Sequence, residues 1–485
     1  MGFQKIIKEN KWIIVILLIA LLVRVLFIFV MPVKFWDETV YANLGRDLSH
    51  NFFNYSFSHG WSDFIPSHGE LFYAWPNAGF RAPLLPYLIS FFYLFGIGFF
   101  LDFLIPIIGV LSVFLIYILG KKLFNENVAL LSAAFLAFIP LHVFYSGRLL
   151  TEILATFFIL LTFLSFWKGY EEGQVKYKIL FGLALAISIL ARYTSLWIIP
   201  VFLFYFLMRD KSLKFLKDKY LWYSISVFFL ALLPWFIYGF LTYENIFGAF
   251  IHGFKASTYW RGAISWTFYL SNWLSMFSIL GIIFIASLFY IFYKKEYIKK
   301  QIYLPLLWFF LFLIFAIYMP YKEDRFLIPL IPPMMILCAY FFDRWKIKFK
   351  RVIYALVFIT LLFSLVLNFY ITATVYYNTN TACFEKIGAE LNKLPGDFLI
   401  ISENPSLFRY VSGHENAYYP DTLNEETSRE IVNSAGKPVY FVFTKFNSGF
   451  ETEKWQNLKK IMEKDYSLVY ECSDDKEVNW IYSIH

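Results

Sequence analysis

Cysteine is scarce, with 3 residues in a chain of 485. A small secreted scaffold stapled by disulfides is excluded on that ground. Charge is thin as well: Asp, Glu, Lys and Arg make up 16% of the chain, against about 25% in a soluble domain. A disordered chain combines high charge with few apolar residues, and a soluble enzyme needs a wettable surface, so neither fits. No repeat of the solenoid or inverted-transporter kind is found along the sequence. What the chain has in excess is apolar and aromatic: 59% hydrophobic residues, 23% aromatics and 60 Phe, with a mean hydropathy of +0.57.

The apolar residues fall in blocks near 12–31, 83–100, 103–119, 128–146, 150–167, 177–191, 194–208, 221–241, 273–293, 302–319, 326–342 and 352–370. A helix of about 20 apolar residues crosses the roughly 30 Å of hydrocarbon in a bilayer. The expected fold class is therefore a polytopic α-helical membrane protein with about 11–12 membrane segments. The first block, Trp12 to Met31, follows Lys5, Lys8 and Lys11. It has no small-residue cleavage site and exceeds a signal-peptide core in length, so it is read as a retained span. After about residue 377 the pattern changes to strand-like runs, Asp397 to Ser402 and Pro438 to Thr444, with polar helix-like stretches between them. Two domains follow: a transmembrane domain over 1–376 and a small soluble α/β domain over 377–485.

The formal charge of +8 does not mark a nucleic-acid partner. Lys and Arg cluster in short loops between the apolar blocks, which is how orientation in a membrane is set. With the N-terminus in the cytoplasm and one block in the 83–119 region not crossing, the internal loops carry 22 Lys and Arg and the external loops carry 9. Block 83–100 opens with Arg81-Ala-Pro-Leu-Leu-Pro and contains Pro83, Pro86, Gly96 and Gly98. It is the expected juxtamembrane or re-entrant helix. About 11 spans remain, with the long loop 32–82 and the tail outside the cell membrane.

That parse gathers the distinctive polar residues on one side. Loop 32–82 holds Phe35-Trp36-Asp37-Glu38; a later turn holds Arg148 and Thr151-Glu152; another holds Arg192-Tyr193; a fourth holds Lys322-Glu323-Asp324-Arg325. Arg24 lies in the outer half of the first span, where a charge costs about 2.5–3.5 kcal/mol and usually has a partner. Plainer readings stand beside the functional ones. Asp37-Glu38 also reads as a helix start behind an aromatic anchor, with Val40, Tyr41, Leu44 and Leu48 at helical spacing behind it. Lys322, Arg325 and Arg81 each read also as interfacial side chains. Glu152 lies in an otherwise apolar stretch, which favours function. His50, His59 and His68 share loop 32–82 with several acids but lack the spacing of a zinc motif. No cofactor is expected, and a divalent metal is the weaker alternative. The loop's aromatics read as an interfacial skin rather than a base-stacking platform, because the loop is not basic. Cys383 and Cys472 read equally as a pair or as two thiols.

In chain order, the loop Asp-Glu pair, Arg81-Ala-Pro-Leu-Leu-Pro-Tyr, Gly120-Lys121-Lys122-Leu123-Phe124, Ser146-Gly147-Arg148 with Thr151-Glu152, Ala191-Arg192-Tyr193-Thr194 and Arg325-Phe326-Leu327-Ile328-Pro329 form an ordered set. This set resembles the GT-C glycosyltransferases of the protein O-mannosyltransferase and aminoarabinose transferase superfamily (families 39 and 83) over roughly residues 10 to 345. The tail also resembles the outer domain that many such enzymes carry. The resemblance implies transfer of a sugar from a polyprenyl-phosphate or dolichyl-phosphate donor to a protein, lipid or glycan hydroxyl at the outer membrane face. It implies Asp37 as general base, Glu38 and Glu152 as positioning acids, and Arg81, Arg192, Lys322 and Arg325 as holders of the donor phosphate. Arg24, Arg148 and Tyr193 would support them. The sequence departs from the family pattern at Arg192, where many relatives have Lys, and at Phe326, where Tyr is frequent. The rival readings are a lipid-linked oligosaccharide polymerase or ligase, and a lipid or sugar transporter. A transporter would show inverted repeats and broken helices at midplane.

The charge split predicts labelling in intact cells. Single cysteines introduced in loop 32–82 and in the tail should react with a membrane-impermeant thiol reagent, and one introduced in loop 209–220 should not. The reverse pattern would invert the topology.

Overall fold

The structure is a computed structural model, and it describes residues 11–31, 36–53, 55, 80–259, 264–345, 350–377, 382–394, 396–402, 405–414, 417–418, 429, 432–433, 436–446, 460, 462–464, 466–473 and 477–483. The chain divides into two compact units. The first comprises Met1–Phe29, Phe80–Leu85 and Phe99–Phe369; the second comprises Val30–Gly79, Pro86–Gly98 and Tyr370–His485. The second unit thus takes in the segment after the first span as well as the tail.

Among the described residues, eight segments are long and apolar enough to cross a membrane: Lys11–Val30, Gly98–Leu123, Thr151–Glu171, Lys219–Tyr243, Trp273–Tyr293, Lys300–Tyr318, Asp324–Arg344 and Arg351–Thr374. A bent pair, Glu126–Phe138 with Pro140–Ser146, brings the number to nine. The chain is a multi-pass membrane protein. The count is lower than the apolar blocks imply because two blocks stop short. Val175–Ala191 has 17 residues and Ile199–Asp210 has 12. Between them Arg192 is extended and a 3-10 turn, Tyr193–Ile198, leads to Pro200. Block 83–100 also stays short of a crossing, as a helix over Leu84–Leu94.

The bend at Pro140 explains Arg24. Pro140 has no N–H to offer the Leu136 carbonyl, and Ile139 turns extended before it, as residues preceding proline do. The two helices meet at 61°. Arg24 is fully buried and supplies the missing donors. Its Nη2 reaches Leu136 O at 3.4 Å and its Nη1 reaches Ala137 O at 3.3 Å. Nη1 also donates to Ala20 O at 3.0 Å, Nη2 stands 2.9 Å from His142 Nδ1, and Nε donates to Ser146 Oγ at 3.2 Å. Room for this comes from Gly109, where a Cβ would stand 2.6 Å from Ser146 Oγ and 2.9 Å from Arg24 Nε.

The polar side chains of the first unit sort to its two ends. At one end Glu171, almost fully buried, pairs with Arg209 at 3.2 Å and Lys300 at 2.5 Å. There too Lys122 pairs with Glu172 at 3.1 Å, Lys178 pairs with Asp218, and Asn125 donates to Asp343 at 3.0 Å. These contacts bring the basic loops together. The other end collects Tyr145, Glu152, Arg192, Asp324 and Arg325.

The second unit contains a five-stranded sheet in the order β2-β1-β3-β5-β4, where β1 is Leu399–Ser402, β2 Ala417–Tyr418, β3 Val439–Phe446, β4 Ser467–Ser473 and β5 Glu477–Ser483. Strand β1 is parallel to β2 and β3, while β5 is antiparallel to β3 and β4. All four residues of β1 are buried, as a central strand covered on both faces requires. Helices Ala382–Leu391 and Pro405–Ser412 supply Ile387, Leu391, Leu407 and Phe408 to one core with Phe398, Ile400 and Val442. Cys472 is disulfide-bonded; the Cys383 side chain lies outside the described residues, and Cys338 is a free, buried thiol.

Replacing Arg24 by Leu strips donors from the Leu136 and Ala137 carbonyls and from His142. Each buried group left unsatisfied costs about 1–3 kcal/mol, so the melting temperature in detergent should fall well below wild type, with Arg24→Lys falling less. An unchanged melt for Arg24→Leu would show that the bend needs no cation.

Candidate active site

Glu152 is the centre of the polar end of the first unit. It lies in the first turn of the helix Thr151–Phe166, where the helix dipole favours an acid, and it is 1% exposed. Arg192 Nη1 is 2.8 Å from Glu152 Oε1, and Arg325 Nε is 3.6 Å from the same oxygen. Arg192 also donates to Thr151 Oγ1 at 2.9 Å. No N–H is aligned for a hydrogen bond with either Glu152 oxygen. The carboxylate therefore balances two guanidinium groups without being saturated by them.

Phe326 lies under both cations: the Arg192 and Arg325 guanidinium carbons are 5.4 and 5.8 Å from its ring centre. A ring face is all that a cation–π contact needs, so Phe serves here in place of Tyr. Arg325 is further held by Glu323, and its backbone N–H donates to Asp324 Oδ1 at 2.8 Å. Tyr145 OH donates to that same oxygen at 2.6 Å. Local sequence places both arginines. Arg192 ends a helix at the extended position described above, and Arg325 begins the 3-10 helix Asp324–Leu330, which contains Pro329.

Lys322 is 4% exposed, and its Nζ donates to the Met319 carbonyl at 2.7 Å. Burial lowers its ammonium group below the ordinary lysine value. A bound anion would offset that burial cost. Arg148 lies over the Phe144 ring at 5.7 Å, and Arg81 over Phe80 at 5.5 Å. Tyr193 OH donates to the Arg81 carbonyl at 3.1 Å and accepts from Trp235 Nε1 at 2.8 Å, so Tyr193 fixes the backbone at Arg81. Arg24 belongs to the helix bend instead, bonded to main-chain carbonyls.

Asp37 and Glu38 begin the helix Trp36–His50 of the second unit. Asp37 is half-buried and Glu38 is 1% exposed. The helix is clasped by the tail. Thr39 Oγ1 donates to Ser406 Oγ at 2.9 Å, Asn43 Nδ2 donates to Ser406 O at 2.8 Å, and Arg409 Nη2 is 3.5 Å from Asp47 Oδ2. Arg409 is 2% exposed. On another side the helix meets Leu84–Leu94 at Gly45, where a Cβ would stand 2.3 Å from Ile89 Cγ2. Among the described residues no group of three or more His, Cys, Asp or Glu side chains could hold a metal ion; His59 and His68 lie outside those residues, as do Phe35 and most of loop 32–82.

Thr151 and Phe326 were named in the sequence only as parts of motifs, with no contact assigned to them. Ser406 and Arg409 were not singled out; they lie more than 350 residues from the helix they hold and carried no signal.

This bundle of membrane helices with a small α/β unit has the GT-C membrane fold. ArnT from Cupriavidus metallidurans bound to undecaprenyl phosphate superposes with a TM-score of 0.71 at 13% identity, covering 97% of this chain and 98% of that one. The archaeal oligosaccharyltransferase AglB from Archaeoglobus fulgidus, in complex with an inhibitory peptide and a dolichol-phosphate, superposes with a TM-score of 0.60 at 15% identity, over 97% of this chain and 74% of that one. Residues 80–238 match the family model of dolichyl-phosphate-mannose-protein mannosyltransferases. An uncharacterized protein of Aquifex aeolicus is 30% identical over 278 residues, and the match spans 55% of this chain and 54% of that relative. The chain thus spans about half the length of that relative. These findings bear out the resemblance read from the six motifs.

Arg409→Ala should loosen the helix that carries Asp37. Hydrogen exchange of the amides in Trp36–His50 is expected to quicken, with exchange in Thr151–Phe166 unchanged. Equal protection in the variant would mean that the tail does not restrain that helix.

Proposed function

We propose that the protein transfers a sugar from a polyprenyl-phosphate donor to a hydroxyl acceptor at the extracytoplasmic membrane face. The observation that carries this reading is the pair of arginines on Phe326, beside the buried Lys322, with Glu152 shared between the two arginines and Glu323 paired to Arg325. Phosphate carries more charge than Glu152 alone can replace, and fixed cations in a water-poor site stabilise a phosphate leaving group strongly. Polyprenyl and dolichol phosphates bound in two proteins of the same fold support that class of donor.

The reaction needs one base. The acceptor oxygen attacks the anomeric carbon, the bond from that carbon to the phosphate oxygen breaks, and polyprenyl phosphate leaves with the electron pair. The acceptor's proton passes to the Asp37 carboxylate. Attack opposite the leaving group inverts the anomeric centre. Phosphate leaves without protonation, so no second acid is required. Arg192, Lys322 and Arg325 hold the phosphate, with Arg81 as a further contact. Glu152 aims the two arginines, a role closer to the phosphate than to the acceptor. Glu38 positions Asp37 or the acceptor. The acceptor is a hydroxyl of protein, lipid or glycan.

The orientation proposed has the N-terminus in the cytoplasm and the tail outside. The 22-to-9 split of Lys and Arg between loops supports it. So does the disulfide at Cys472, since disulfides persist in oxidising compartments.

Two variants assayed with a radiolabelled polyprenyl-phosphate sugar test the roles. Asp37→Asn keeps the shape but cannot take the proton, so turnover should fall about 10²–10⁴-fold while donor affinity holds. Arg325→Ala should weaken donor binding about tenfold or more, the worth of one charge-assisted bond. An Asp37→Asn enzyme keeping more than about a tenth of its turnover would remove Asp37 from the mechanism. Unchanged donor affinity in Arg325→Ala would move the phosphate elsewhere.

A further inference from the structure

At the end of the first unit opposite Glu152, a cavity of about 230 Å³ opens where three crossing helices end. Its wall is Phe124, at the end of Leu104–Leu123, whose ring lies 4.7 Å from that of Tyr340. Asn125 and Gln301 offer amide groups, and Lys299 and Arg344 offer positive charge. The helices Lys300–Tyr318 and Ile331–Arg344 each run from this cavity toward the loop that holds Lys322 and Arg325. At about 1.5 Å per residue they separate the two places by roughly the thickness of the hydrocarbon. The cavity is therefore not part of the donor site.

We infer that this cavity binds the phosphate headgroup of an anionic membrane phospholipid. Three observations converge on it. The first is depth. Tyr293, Tyr297 and Trp345 are exposed in the loops beside it, and exposed Tyr and Trp mark the membrane–water interface, where lipid phosphates lie.

The second is charge. Lys299 is occupied by Glu296, which also accepts from Tyr340 OH at 2.8 Å. Asp343 accepts from Asn125 and Asn127. Arg344 makes no ion pair among the described residues; its guanidinium is braced against the Tyr340 ring at 5.5 Å. A braced, exposed guanidinium presents its fork to a phosphate with little further ordering. The neighbouring loop adds Lys294 and Lys295, while Lys300 is paired with Glu171. Basic pockets between membrane helices on such a face suit anionic headgroups.

The third is size and lining. The volume is below the roughly 300–1,000 Å³ of drug-sized ligand sites. Gln301 suits a hydroxyl of a phosphoglycerol group, while Asn125 is held by Asp343 and Val128 and the acyl chains would lie along the helices outside.

The test is native mass spectrometry of the full-length protein in detergent, titrated with phosphatidylglycerol, phosphatidylcholine or inorganic phosphate. Phosphatidylglycerol should bind in preference to phosphatidylcholine, and Arg344→Gln with Lys299→Gln should weaken it about tenfold or more. Lys294→Gln with Lys295→Gln removes the same charge from the neighbouring loop outside the cavity and should change it less than about twofold. These four side chains are exposed, so a thermal melt should show all variants folded. Equal losses in the two double variants would reduce the effect to diffuse surface charge and overturn the site. No loss in Arg344→Gln with Lys299→Gln would do the same. Inorganic phosphate binding as tightly as the lipid would assign the cavity to a soluble anion instead.

Discussion

Hydrocarbon offers a polar group no partner, and the first unit is organised by that constraint. A backbone group without a hydrogen bond costs several kcal/mol there. Helices long enough to cross satisfy their own backbones, and their charges are driven to the two ends. One end becomes a set of basic loops tied by Glu171, Glu172 and Asp218; the other becomes the Glu152 cluster. At Pro140, where a helix breaks within the apolar depth, a buried arginine appears. Arg24 and the bend explain each other: a carbonyl lost its N–H, and a guanidinium with five donors supplies replacements.

The same constraint makes the Glu152 cluster chemically useful. Arg192 and Arg325, part-buried around Glu152 with Glu323 and Asp324 beside Arg325, hold charge that water does not screen well. A lipid phosphate reaches such a place by lateral movement, because its prenyl chain stays in the hydrocarbon. Glu152 prevents the arginines from repelling one another while the site is empty, and Phe326 gives them a common apolar floor. The second unit solves a different problem. The helix bearing Asp37 buries Val40, Tyr41, Leu44 and Leu48, and buried polar contacts from Ser406 and Arg409 tie it to the tail.

Much was legible in the chain because membrane helices leave a coarse signal. Apolar length located most of the crossings, and the Lys and Arg split anticipated that the basic loops gather at one end. The strands read at Asp397 to Ser402 and Pro438 to Thr444 overlap β1 and β3 closely, since buried parallel strands are continuous apolar runs. Block length misjudged the stretch around Arg192, where backbone geometry and Pro200 decide and hydropathy does not change. Glu152 was conspicuous as an acid among apolar residues, but its partners were not, because ion pairing depends on distances across helices.

The residue order by itself determined that the chain lies in a membrane, which loops are basic, where strand-like runs replace the apolar blocks and which short motifs carry charge. These are properties of composition and local periodicity, written at separations of a few residues to a few tens. Only the tertiary structure decided that Arg24 serves the Pro140 bend, that Glu152 joins Arg192 to Arg325 over Phe326, and that Ser406 holds the helix of Asp37. Each of those joins residues 40 or more positions apart. Which helix faces which is settled by how all the apolar faces pack at once, and no local pattern encodes it.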